Sequence, residues 1–245
     1  LFCMATLLPL SMFMRRPSPR MARGGAAADK ATRAAQVGKV QDLVLGLKPN
    51  ATFTLLCLAI LGCCVAMSMP MVHIVAYCSD LGFATARGTE MLSILLFCAF
   101  LSRIGYGWLA DRIGGLKALL LGSSLQLLGL ACFMYADTLE SLYVVSIFYG
   151  LGYGGIVPMY ALIIRQLFPA SQAGWRIGVI FLFGTTGMAA GGYLGGFIFD
   201  LTATYVLAFL TGVIFNLFNL ILVVFMVWRH RDKNRHDTNL VTIPA

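Results

Sequence analysis

Charge is what this sequence has least of. Its 245 residues hold 18 Lys and Arg and 10 Asp and Glu, 11% together, against about 25% in soluble domains. With 59% hydrophobic residues and a mean hydropathy of +0.84, no surface of this size could be kept in water, so soluble enzymes and nucleic-acid binders are excluded. Acids are missing from every long apolar run, which removes paired carboxylates at membrane depth. The three His include only one inside such a run, His73, so no His-based nucleophile pair or metal cluster can form there. Ser123 and Ser124 sit towards the opposite end of the bilayer from His73, too far for an activated serine. The seven Cys form no CxxC pair and read as small apolar helix residues rather than disulfides or ligands. A basic stretch before the first apolar run is also lacking, so Leu1–Met14 is no secretory signal. It reads as the end of a helix whose beginning is missing. No metal, cofactor or nucleic-acid partner is expected.

What is present is a set of six apolar stretches, each near the ~20 residues needed to cross a bilayer as a helix. They are Ala51–Cys78, Met91–Ala110, Ala118–Ala136, Leu142–Ile164, Ile177–Phe199 and Leu201–Trp228, the last two meeting at a turn at Asp200. Short connectors force neighbours antiparallel, so the expected fold is all-α: a polytopic six-helix bundle over 51–228. Residues 15–50 read as a linker rich in Ala, Gly and Arg, and 229–245 as a polar, disordered tail. Sixteen of the 18 basic residues fall on one side, in 15–50, Asp111–Lys117, Arg165–Arg176 and the tail. The other side has Arg87 and five acids, Asp80, Glu90, Asp137, Glu140 and Asp200. By the positive-inside rule the basic side is cytoplasmic, with both ends of the six-helix unit there. A net charge of +8 thus follows from membrane orientation and needs no polyanion. A multi-pass protein of the plasma (or cell inner) membrane is the expectation.

Four features could carry function. Gly187, Gly191 and Gly195 repeat every four residues on one helix face, with Gly184 before them and Gly192 and Gly196 alongside. Gly150 and Gly154 precede Pro158 in the fourth helix. Small residues at this spacing let backbones approach closely, which serves either static packing or sliding during gating. The second feature is the turn Gly107-Trp-Leu-Ala-Asp111-Arg112-Ile-Gly114-Gly115 on the cytoplasmic side. The third is Arg103, eight residues before Asp111 and so about 12 Å deep in the bilayer. A charge there costs several kcal/mol unless paired or facing water. No acid of these spans can neutralise it, which leaves a partner outside the sequence, backbone carbonyls or an anionic ligand. Arg suits a carboxylate because its planar fork meets both oxygens. The fourth is His73, three-quarters of the way outward, either a proton carrier or a satisfied interfacial group. Tyr77 lies one turn on from His73, and Tyr106, Tyr149, Tyr153 and Tyr160 are either cavity-lining hydroxyls or interface anchors and packing residues; Asn216 and Asn219 read as interhelical hydrogen bonders.

GWLADRIGG resembles the cytoplasmic loop motif of the major facilitator superfamily, and 51–228 resembles its C-terminal six-helix half. Pro70 to Gly82 and Arg103 with Gly105 and Gly107 resemble the monocarboxylate-porter-like and oxalate/formate-antiporter-like group. The resemblance implies that 1–14 ends the preceding helix, that 15–50 is the central loop, and that an N-terminal six-helix half is missing. It further implies a secondary transporter moving small organic anions such as monocarboxylates by alternating access, as symporter or antiporter. In that reading Arg103, Tyr77, Tyr106 and Tyr153 meet substrate, His73 couples protons, and Gly107, Asp111, Arg112, Gly114 and Gly115 form a gating loop. Oxalate exchangers carry a Lys in the helix corresponding to Ile177–Phe199, which here has no charge. The competing expectation is a self-sufficient six-helix channel or dimeric transporter.

Overall fold

The structure is a computed structural model that describes residues 44, 45 and 47–241, with side chains as far as 231. The expectations for 1–14 and for most of the 15–50 linker lie outside the described residues. All the helices described lie within Leu43–Ala245. Among the described residues, seven α-helices make up six candidate spans. They are α1 Pro49–Asp80, α2 Thr85–Ile113, α3 Gly115–Phe133, α4 Leu139–Tyr153, α5 Ile156–Leu167, α6 Ala170–Thr202 and α7 Tyr205–Val241. No strand occurs among the described residues.

The helices outrun the apolar stretches because polar residues at membrane surfaces can still propagate the backbone ladder. Asp111 and Arg112 therefore lie in the last turn of α2, and Gly114 alone links α2 to α3. Its φ of 88° is a conformation that glycine adopts without the Cβ penalty. Asp200 is not the turn expected of it. It sits within α6, which closes three residues later at Ala203 in the left-handed conformation with Ala203 N–H on the Phe199 carbonyl. The polar tail is also not an irregular segment throughout, since α7 continues to Val241. From His230 to Val241 there is no Gly or Pro to stop it.

The fourth span is not one helix but two. α4 ends at Tyr153, Gly154 and Gly155 form a turn, and α5 begins at Ile156. Pro158 causes this: it has no N–H for the Gly154 carbonyl, and its ring would collide with it. Gly154 and Gly155 are the two residues able to absorb the resulting bend cheaply.

α1 runs through the middle of the bundle and is the most buried span, packed by α6 and α7; α2 packs on α4, and α3 on α4 and α7. Polar side chains tie these layers. Gln126 of α3 donates to the Cys63 carbonyl at 3.1 Å and accepts from the Cys63 thiol at 3.3 Å. Asn219 of α7 donates to the Ala59 carbonyl at 2.7 Å and to the Tyr160 hydroxyl at 2.6 Å, while Asn216 donates to the Ser123 carbonyl at 3.2 Å. The sequence expectation for both Asn holds. Each such bond contributes on the order of 1 kcal/mol in a membrane interior.

Candidate functional site

The bundle has a basic end and an acidic end. Lys48, Arg112, Lys117, Arg165 and Arg176 lie near the helix ends where α1 begins and α2 finishes, and Arg229 lies within α7 after its apolar stretch. Asp80, Glu90, Asp137, Glu140 and Asp200 lie at the other, with Arg87 bound to Glu90 at 3.1 Å. Tyr143 donates to the same Glu90 oxygen at 2.6 Å. Arg87 with Glu90 is the only ion pair among the described residues.

Arg103 belongs to neither end. It lies ten residues before the end of α2, about 15 Å in at the helical rise. It is exposed at the bundle surface on a face otherwise made of Phe97, Phe100, Leu101, Ile104 and Trp108, all of them exposed. No ion pair or hydrogen bond holds Arg103 among the described residues. A stripe of this kind could face lipid only at the cost of a naked charge in hydrocarbon. Tyr153, at the end of α4, is buried against the Tyr149 ring, 5.1 Å between centroids, and makes no hydrogen bond to a described residue.

The opposite face of the same α2 segment repairs the α4–α5 break. When a helix stops, carbonyls of its last turn lose their N–H partners, and in a membrane no water is at hand to replace them. Ser102 donates to the Leu151 carbonyl at 2.6 Å, and Tyr106 donates to the Gly152 carbonyl at 2.8 Å. The Tyr106 ring lies directly against Gly155, where a Cβ would overlap it, and a Cβ on Gly154 would strike the Ala99 backbone. A Cβ on Gly150 would strike the Leu95 carbonyl. The break, its glycines and Arg103 are therefore held by one stretch of α2, midway through the bundle. Pro158, in the first turn of α5, is exposed.

The remaining expected residues divide between other places. Tyr77 of α1 is buried and donates to the Ala136 carbonyl at 2.9 Å, bracing the α3 terminus far from Arg103. Tyr106 likewise commits its proton to backbone. Of the three tyrosines expected at the substrate, Tyr153 is thus the one whose hydroxyl is uncommitted. His73 is buried in the seam between α1 and α6, with Nε2 3.0 Å from the Gly192 carbonyl and its ring 5.5 Å from Tyr205. A carbonyl can only accept, so Nε2 carries the proton and Nδ1 is the nitrogen left to take one. Gly187, Gly191 and Gly195 of α6 face α1 along this seam. Added Cβ atoms would meet the Leu61 carbonyl at 2.7 Å, Ser68 and the Val65 carbonyl, and His73 Nε2 at 2.5 Å. At the basic end, Gly107 and Asp111 remain open, the Arg112 guanidinium stacks on Trp108 at 4.1 Å, and Gly115 sits under Gln166 and Ile163 of α5.

Sequence reasoning missed Arg176. Charge patterning places it in a surface connector, but α6 begins at Ala170 and takes Arg176 into its second turn, where it is 3% exposed. The signal was there in Phe168 and Trp175, two aromatics beside a base at a helix start.

A bundle of six spans, with a broken fourth, a DRxGG turn at the basic end and one midway arginine, meets a family description. The family model for the Major Facilitator Superfamily matches residues 1–174 and again 54–244. The chain belongs to that superfamily. Monocarboxylate transporter 13 of Rattus norvegicus is 28% identical over 143 residues, 58% of this chain and 33% of that one. The MFS-type transporter opdF of Penicillium oxalicum is 26% identical over 153 residues, 62% of this chain and 36% of the relative. The facilitator chain thus spans about a third of the length of these relatives. Among solved structures, a POT family transporter in complex with 5-aminolevulinic acid superposes with a TM-score of 0.66 at 18% identity. It covers 76% of this chain and 40% of its own, a likeness of fold. The relatives that match are transporters, not enzymes.

Proposed function

We propose that this chain is the C-terminal half of a secondary transporter that moves small organic anions, monocarboxylates first among them, by alternating access. The observation that carries the reading is Arg103: a full charge midway through an apolar span, exposed, with no partner among the described residues. A carboxylate fits this position because a guanidinium offers two parallel N–H donors to its two oxygens. The Tyr153 hydroxyl, which makes no hydrogen bond to a described residue, donates to one of those oxygens. Three named relatives among those matching are monocarboxylate transporters, which supports the substrate class.

The exposed α2 stripe that includes Arg103 then faces a second six-helix half across a water-filled path rather than lipid. The broken α4–α5 span gives the bundle a bending point at the depth of Arg103, and the Gly114 turn lets α2 and α3 tilt together. The basic end lies in the cytoplasm of a plasma or cell inner membrane, by its excess of Lys and Arg. His73, in the α1–α6 seam, is the residue we assign to proton coupling on the outer side.

The test is uptake of labelled lactate, formate and oxalate by the full-length protein. Arg103→Ala should lower uptake kcat/KM on the order of 100-fold, and Arg103→Lys should keep a larger fraction with weakened affinity. Unchanged uptake of all three by Arg103→Ala would sink the reading. His73→Gln should flatten the pH dependence of uptake while leaving exchange of one anion for another intact.

A further inference from the structure

Arg176 is a cation enclosed by aromatic rings and left short of hydrogen bonds. Its guanidinium carbon lies 4.8 Å from the Phe53 ring of α1, 4.2 Å from Phe168 and 4.6 Å from Trp175. Nη2 donates to the Gln172 side chain at 3.1 Å, one turn back towards the helix start. Nε and Nη1 are buried and have no partner among the described residues. Rings stabilise a cation by their negative faces but supply no lone pairs to its edges. Buried charged donors without acceptors are among the costlier defects a fold can hold.

The surroundings add positive charge instead of relieving it. α1 and α6 both begin at this end of the seam, neither with an acid in its first turn nor with a side-chain cap. Their free N–H groups present the positive ends of two helix dipoles. Asp111, in the last turn of α2 at the basic end, makes no bond to Arg176. Two buried guanidinium N–H groups and two helix starts thus converge here with no acceptor among the described residues.

Depth selects which anion. Because Arg176 reaches back to Gln172, its guanidinium stands beside the first turn of α6, at the level of the bilayer surface. Trp175 marks the same level: it is 53% exposed, as an amphipathic ring at the headgroup boundary is. It is also the only member of the cage not largely covered, so entry is at its edge. A phosphate has oxygens enough to accept from more than one edge of a guanidinium, and pockets between helices on a basic membrane face suit such headgroups.

We propose that Arg176, with Phe53, Phe168 and Trp175 around it, is a binding site for a phosphate group at the α1–α6 seam, supplied by an anionic phospholipid headgroup or by free phosphate. Lipid occupancy would then stiffen the seam that holds His73 and the glycine face of α6. The site is separate from Arg103, so it stands or falls independently of the transport reading.

The test uses the full-length protein in nanodiscs. One arm compares phosphatidylcholine with phosphatidylcholine plus phosphatidylglycerol; the other adds inorganic phosphate to phosphatidylcholine discs at constant ionic strength. Occupancy should raise the apparent Tm on the order of 5 °C, and native mass spectrometry should find phosphatidylglycerol retained. A shift with phosphatidylglycerol alone assigns the site to lipid, and a shift with both assigns it to phosphate from either source. Arg176→Gln should lose the shift, whereas Arg112→Gln, an exposed base at the same end, should keep it. If Arg176→Gln does not fold, Arg176→Lys, which keeps the charge but not the planar fork, should lose at least half of it. No shift in the unaltered chain with either probe overturns the proposal. So does an equal shift in the Arg176 variants, or its loss in Arg112→Gln, since either would mean diffuse surface attraction.

Discussion

Two helix contacts in this bundle are built on glycine and put it to opposite uses. In the α1–α6 seam the glycines lie on an unbroken helix, and the space they leave is filled by the partner's backbone and by His73. In the α2–α4–α5 contact the glycines interrupt the helix, and the neighbour supplies hydroxyls from Ser102 and Tyr106 to the carbonyls thereby freed. The first is a close packing surface along an unbroken helix. The second is a joint whose loose ends are tied by side chains on another helix, and the unpaired arginine stands beside it. Four-residue glycine spacing alone does not distinguish them; the proline at 158 does.

The comparison can be broken most severely by bulk. Gly191→Val and Gly154→Val each push a side chain into partner backbone, and each should cost more than about 3 kcal/mol, at the upper end for overpacking. Both should yield little folded protein on size-exclusion chromatography. Gly174→Ala and Gly178→Ala supply the contrast, since no atom lies within 4 Å of the added Cβ at either position. They should be neutral or slightly stabilising in thermal melts, by up to about 1 kcal/mol from helix propensity. If all four behave alike, the distinction between packed and open glycine is wrong.

Next in size is Arg103. Losing a charge-assisted contact of about 2–3 kcal/mol should lower the uptake kcat/KM of Arg103→Ala on the order of 100-fold without shifting Tm, because no described residue depends on it. Smaller still is the effect of the hydroxyls that tie the joint. Tyr106→Phe and Ser102→Ala should each cost on the order of 1 kcal/mol, and hydrogen exchange should quicken at Ile156 and Val157, next to the break, while the α1–α6 seam stays protected. Equal loosening of both contacts would show the bundle to be one elastic unit. Smallest is Gly105→Ala, on the open side of α2, expected to leave stability within about 0.5 kcal/mol.

Much of this was legible in the chain. Apolar run lengths gave six spans because a bilayer admits few alternatives to the helix, and the uneven distribution of charge divided the ends. The DRxGG turn and the isolation of Arg103 could be read from spacing alone. The break after Tyr153 was harder. Pro158 predicts a disturbance, but the sequence does not say whether the helix bends or stops, and that depends on whether a neighbour can satisfy the freed carbonyls. Arg176 escapes a reading of the chain for a related reason: hydropathy marks where a helix meets lipid and is silent on how far it continues past it, so a base near a span's start is assigned to solvent.

The sequence by itself determined the solvent, the number of crossings and the one residue whose charge has no surface to go to, because each follows from transfer costs that act residue by residue. Only the tertiary structure decided which tyrosine keeps a free hydroxyl, which glycines are filled and which open, and that a second arginine is walled in by rings. Those outcomes depend on which helix lies against which. That choice is made by shape and by the pairing of backbone groups between segments far apart in the chain, and no local pattern records it.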